Sequence, residues 1–144
     1  MTPLTLANTP LMVDIVRTRQ AYAHMRVAGQ MRCDCAYCRN FFGQLPELLP
    51  SPILNFFAQA EIDVQMPSEV YELQKLEYGR NLYGGEYYFF GSANWIDINS
   101  LEAAYGMHIS LHPPSPITPD AFRSHGAVCL EFQLPVPWVL AHSV

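Results

Sequence analysis

Glu69-Val-Tyr-Glu-Leu-Gln-Lys-Leu-Glu-Tyr-Gly-Arg-Asn-Leu-Tyr-Gly-Gly-Glu-Tyr-Tyr-Phe-Phe-Gly91 is the stretch on which the fold turns. Its last part alternates aromatic rings to both sides, Tyr88 and Phe90 one way and Tyr87 and Phe89 the other. A strand apolar on both faces belongs in the middle of a sheet, covered on each side. Gly84-Gly85 suits the positive φ of a tight turn. The stretch therefore predicts a hairpin, with Glu69–Tyr78 leading in and Glu86–Gly91 leading out.

Toward the C-terminus, Met107-His-Ile-Ser-Leu-His112 alternates, with Met107, Ile109 and Leu111 inward. Thr118-Pro119-Asp-Ala-Phe122 reads as a capped helical turn. Val128, Leu130, Phe132 and Leu134 make the inner face of a last strand, ended by Pro135 and Pro137, with Trp138–Leu140 as an extension. Toward the N-terminus, Ser51 as N-cap and Pro52 at the first helical position open a helix. Its apolar face is Ile53, Phe56, Phe57 and Ala60. Ala36–Gly43 suits a shorter helix, and Leu11–Arg17 a first strand. Tyr22–Val27 alternates Ala23, Met25 and Val27 against Tyr22, His24 and Arg26, the period of another strand, which would turn at Ala28-Gly29 and return through Gln30–Cys33. Strands outnumber helices. The expectation is an α+β fold, a mainly antiparallel sheet with two or three short helices packed on one side, in a single domain over residues 1–144.

Half of the residues are apolar and 15% are charged, which suits a packed core rather than a disordered chain. Eight Lys and Arg against thirteen Asp and Glu give a net charge of −5. With no basic run to neutralise phosphates, nucleic acid and anionic membrane are excluded as expected partners. Met1–Pro10 lacks the basic start and apolar centre of a signal peptide, and no apolar run approaches the ~18 residues of a membrane helix. The expected location is the cytoplasm, where clustered cysteines serve metals or redox chemistry more often than disulfides.

Three of the four cysteines fall within six residues, Cys33-Asp34-Cys35-Ala36-Tyr37-Cys38, flanked by Arg32 and Arg39. Cys35 and Cys38 have the three-residue spacing of a zinc knuckle, and in an extended segment Cys33 and Cys35 share a face. With a two-residue loop at Ala28-Gly29, position i pairs with 57 − i, which sets His24 across from Cys33 as a fourth ligand. The candidate metal set is therefore Cys33, Cys35, Cys38 and His24, with zinc as the cofactor. A second reading is thiol redox chemistry at Cys35 and Cys38, at a helix N-terminus between two arginines. A third leaves the cysteines structural, reduced and metal-free. Cys129, out of phase with the inward residues of its strand, is expected to be a lightly exposed bystander rather than the fourth ligand.

His108 and His112 share a strand face but stand ~13 Å apart at ~3.3 Å per residue, too far for one ion. Ser124-His125 are neighbours in sequence without a nucleophile elbow. Asp97, Glu102, Asp120 and Glu131 are scattered, and no catalytic residue is assigned. Tyr78, Tyr83, Tyr87, Tyr88, Phe89, Phe90 and Trp95 are read as core, with any tyrosine left outside it available to a protein partner.

Cys33-Asp-Cys-Ala-Tyr-Cys-Arg-Asn-Phe41, followed by Glu69-Val-Tyr-Glu72, Leu82-Tyr-Gly-Gly85, Tyr88-x-Phe90-Gly91 and Pro137-Trp138, resembles a family of small bacterial proteins without an assigned activity. The resemblance implies a single bacterial domain and carries no ligand or catalytic residue. The leading functional expectation is a non-enzymatic binding or interaction domain with structural cysteines and another protein as partner. Zinc binding is the first alternative and thiol redox chemistry the second.

Overall fold

The computed structural model describes residues 1–29, 33–92, 97–98 and 105–141. In chain order these form strands β1 (Thr2–Leu6) and β2 (Thr9–Val13), helices α1 (Ile15–Ala28), α2 (Ala36–Phe42) and α3 (Ser51–Ala60), strands β3 (Glu69–Lys75), β4 (Arg80–Ser92), β5 (Asp97–Ile98) and β6 (His108–His112), a 3₁₀ turn (Asp120–Phe122) and strand β7 (Ala127–Pro137). The seven strands make one antiparallel sheet in the order β1-β2-β4-β7-β6-β5, with β3 also paired to β4. The α+β architecture expected from the sequence is the one observed.

β4 is the spine, as its aromatic run requires. Tyr83, Tyr87, Tyr88, Phe89 and Phe90 are all buried, between 0 and 3% exposed. On one face, Phe57 of α3 packs edge-on against Tyr87 at 4.6 Å, Phe56 against Phe89, and Phe41 of α2 stacks on Tyr83 and Phe132. On the other face, Phe122 covers Tyr88 and Phe90 and meets Tyr22 of α1.

The turn into β4 is not at the glycine pair. It lies at Tyr78 and Gly79, both at positive φ, and the Leu76 amide donates to the Arg80 carbonyl at 2.8 Å to close it. Gly84 and Gly85 sit mid-strand opposite Tyr71 and Val70. A Cβ on Gly84 would stand 2.5 Å from the Tyr71 ring, and one on Gly85 would stand 2.6 Å from both the Glu69 carbonyl and the Phe132 ring. Aromatic rings from the neighbouring strands lie where these side chains would be, so the pair serves close approach rather than a turn. Gly85→Ala should therefore cost about 1–3 kcal/mol through overpacking, read as a lowered denaturant midpoint; an unchanged midpoint would contradict the close approach.

The predicted strand Tyr22–Val27 and first strand Leu11–Arg17 are corrected: β2 ends at Val13, and α1 runs from Ile15 to Ala28. The Asp14 carboxylate caps α1 by accepting the Arg17 amide, and Gly29 at φ 76° ends it. Thr18, Ala21, Tyr22 and Met25 form its buried stripe at i, i+3, i+4, i+7. That stripe has a task on the sheet. Among the described residues, β4 lacks a strand partner at 88 and 90 on the edge it shares with β2 and β3. There the Tyr22 hydroxyl donates to the Tyr88 carbonyl at 2.7 Å, and Thr18 Oγ1 accepts the Phe90 amide at 3.0 Å. Helix side chains thus satisfy an exposed strand edge.

Four smaller expectations are also revised. Cys33 has irregular backbone, and Gln30–Arg32 lie outside the described residues. The α3 cap position is held by Pro50, one residue before the expected Ser51, without a side-chain cap bond. Pro135 lies within β7, paired with Leu82, and only Pro137, paired with Arg80, ends the strand as expected. Cys129 is buried at 5% exposure, since both faces of β7 are covered at that level.

Candidate metal centre

Cys35 occupies the N-cap of α2 with extended backbone (φ −73°, ψ 166°), and its Sγ accepts the Cys38 amide at 3.5 Å. This is the bond a serine or threonine cap makes to the third residue of a helix, made here by sulfur. The C-x-x-C spacing thus becomes a cap and its partner on one side of a helix start. Two residues upstream, Cys33 Sγ accepts the Cys35 amide at 3.4 Å. The Arg39 guanidinium reaches back to the Asp34 carbonyl at 2.7 Å and ties the loop to the helix.

The outcome is a group of three sulfurs, all within 4.8 Å of one another. A tetrahedral ion with Zn–S bonds of ~2.3 Å requires sulfurs ~3.8 Å apart, so a modest inward rotation suffices to share an ion. Cys33 and Cys35 are exposed, while Cys38 is buried beneath them. The Cys38 amide holds the Cys35 thiol below its ordinary value. Burial, reinforced by hydrogen bonds with Cys35 and Cys33, pushes the Cys38 thiol up to about 12. The backbone N–H of Cys38, directed at Cys35 Sγ, favours the thiolate form of Cys35.

α2 is held by its other face. Asn40 is fully buried and bonds in both directions: Nδ2 donates to the Pro137 carbonyl at 3.0 Å and to the Tyr83 hydroxyl at 3.4 Å, and Oδ1 accepts the Val139 amide at 2.9 Å. The Tyr83 hydroxyl donates to the Tyr37 carbonyl at 2.8 Å, and the Tyr37 ring meets Trp138 edge-on. The thiol corner is therefore clamped to the start of β4 and the end of β7.

His24 does not join the cysteines. It lies exposed on α1 beside Arg17, Gln20 and Ser124, because the hairpin that was to carry it opposite Cys33 is a helix. Among the described residues, the group of potential ligands is Cys33, Cys35 and Cys38 alone. Cys129 has separate surroundings next to Tyr88 and Glu86, and burial pushes its thiol up to about 12.

Sequence reasoning missed a second polar grouping. Glu69, Glu86 and Glu131 sit directly opposite one another on β3, β4 and β7, on one face of the sheet. His112 Nε2 stands 3.4 Å from Glu131 Oε2. Partial burial, then the charges of Glu131 and Glu69, raise the Glu86 carboxyl, against the Tyr88 hydroxyl and His112, which lower it. A carboxyl raised on folding opposes the native state when ionised. The opposition is present above its folded value and disappears as pH falls through that value toward the unfolded ~4.3. Glu86→Gln should then stabilise the protein at pH 7 by a few tenths to about 1 kcal/mol, with no gain at pH 4. Equal urea midpoints for variant and parent at both pH values would refute the repulsion.

No helix among the described residues is long and apolar enough to cross a membrane. No family model matches the chain, and comparison with curated proteins and solved structures finds no match.

Proposed function

We propose that the protein binds zinc through the thiolates of Cys33, Cys35 and Cys38. The observation that carries this reading is the convergence of three sulfurs within 4.8 Å, two of them accepting backbone amides. Closed-shell Zn²⁺ imposes little geometry of its own and favours thiolate donors. Purely structural cysteines would be expected to pack in the interior, whereas Cys33 and Cys35 are exposed at the surface. Protein purified without chelator should contain about one zinc per chain by elemental analysis; less than about a tenth of an equivalent would overturn the reading, because thiolate sites bind zinc tightly.

One observation favours a second reading. Cys35 is exposed with its thiol lowered and Cys38 is buried with its thiol raised, an attacking and a resolving thiol at dithiol spacing. Alkylation of metal-free protein at pH 7 should select Cys35 over Cys33; equal rates would remove this reading. The likeness to the small bacterial family with the C-x-C-x-x-C-R-N-F segment is compatible with either role.

A further inference from the structure

We infer that the ion held by Cys33, Cys35 and Cys38 keeps a fourth coordination position facing solvent, and that this position takes a thiolate from outside the chain. The inference rests on the zinc reading above and adds to it the ligand that completes the site. Three protein donors are the arrangement in which zinc retains an exchangeable position, whereas closed structural sites supply four. Here the three come from one corner only six residues long, and among the described residues no fourth histidine, cysteine or carboxylate joins the group.

The direction of the open position follows from burial. Cys38 lies underneath, on the core side of α2, and Cys33 and Cys35 lie outside. The ion's remaining face therefore looks outward. Arg39, bonded to the carbonyl between Cys33 and Cys35, places a fixed positive charge at this corner, which favours an anionic donor over a neutral one. A soft ion already bound by sulfur selects a further thiolate among anions. The surroundings also provide apolar contact for the donor's carrier. Trp138 packs on Tyr37, Val139 next to it is 59% exposed, and the Trp138 amide joins the hairpin tip where Tyr78 is 90% exposed.

A thiolate of this kind has two sources, a small thiol such as glutathione or, bridging two ions, an exposed Cys33 or Cys35 of a second copy of this chain, Cys129 being buried. Full-length protein loaded with Co²⁺ distinguishes them. Saturable shift and intensification of the visible cobalt bands on adding glutathione, with the protein monomeric by sedimentation, supports the inference with the small thiol as source. A cobalt-dependent dimer that already shows four-sulfur bands, and loses them in Cys33→Ser, supports it with the second copy as source. Cobalt bound by a monomer whose spectrum does not respond to glutathione overturns the inference and leaves the metal site standing. Absence of thiolate-to-cobalt charge transfer overturns the metal reading itself.

Discussion

Asn40→Ala should unfold far more easily than the parent chain, by about 2–4 kcal/mol, on the order of 10 °C in Tm for a domain of this size. The side chain is fully buried and makes three hydrogen bonds to two separate parts of the chain. Truncation affects these partners unequally. The Pro137 carbonyl retains the Gln44 amide at 3.0 Å, and the Tyr83 hydroxyl still donates to Tyr37. The Val139 amide has no replacement for Asn40 Oδ1 among the described residues, so that bond, together with the space left by a fully buried side chain, is the main loss. Asn40→Asp would keep that acceptor but remove both donated bonds and bury a charge, and should be at least as damaging at pH 7. Urea unfolding of both variants decides the matter. A loss below about 0.5 kcal/mol for Asn40→Ala would mean that the clamp on α2 is ornamental.

Cys35→Ser should separate fold from metal. Serine is a preferred helix cap and can accept the Cys38 amide as the sulfur does, so the metal-free variant should unfold within about 0.5 kcal/mol of the metal-free parent. Its hydroxyl is a poor zinc ligand. Altering groups behind a metal ligand already costs 10–100-fold in affinity, so losing the ligand itself should cost more than about 100-fold. Competition with a chromophoric chelator measures the affinity, and urea unfolding of the chelated proteins measures the stability. An affinity within tenfold of the parent would remove Cys35 from the site.

The contrast between these residues shows what the sequence made legible. The cysteine corner is local: a C-x-x-C step becomes a helix cap and its third residue whatever the remainder of the fold does, and the short helix after it was expected. The face of α3 and the two-sided burial of β4 were readable for the same reason, since periodicity within one element reports its surroundings. α1 was hidden because its apolar pattern is weak: Asp14 and Gly29 mark its ends, but Thr18 is buried while Val16 and Val27 are exposed, and the window 22–27 also fits a two-residue period. That one misreading placed His24 beside Cys33.

The remainder was hidden because it depends on partners distant in sequence. Gly84-Gly85 reads as a turn until Tyr71 and Phe132 are known to lie over it. Asn40 occupies a polar position that no local pattern marks as buried. The row Glu69, Glu86, Glu131 exists only through the register of three strands, which turn chemistry and pairing set together.

X-ray absorption at the zinc edge, on protein purified without added metal or chelator, tests the central claim most directly. The account predicts about one zinc per chain with a shell of three or more sulfurs at about 2.3 Å. Zinc surrounded only by nitrogen and oxygen at about 2.0–2.1 Å would contradict it, and so would a chain that carries no metal while its three thiols remain reduced.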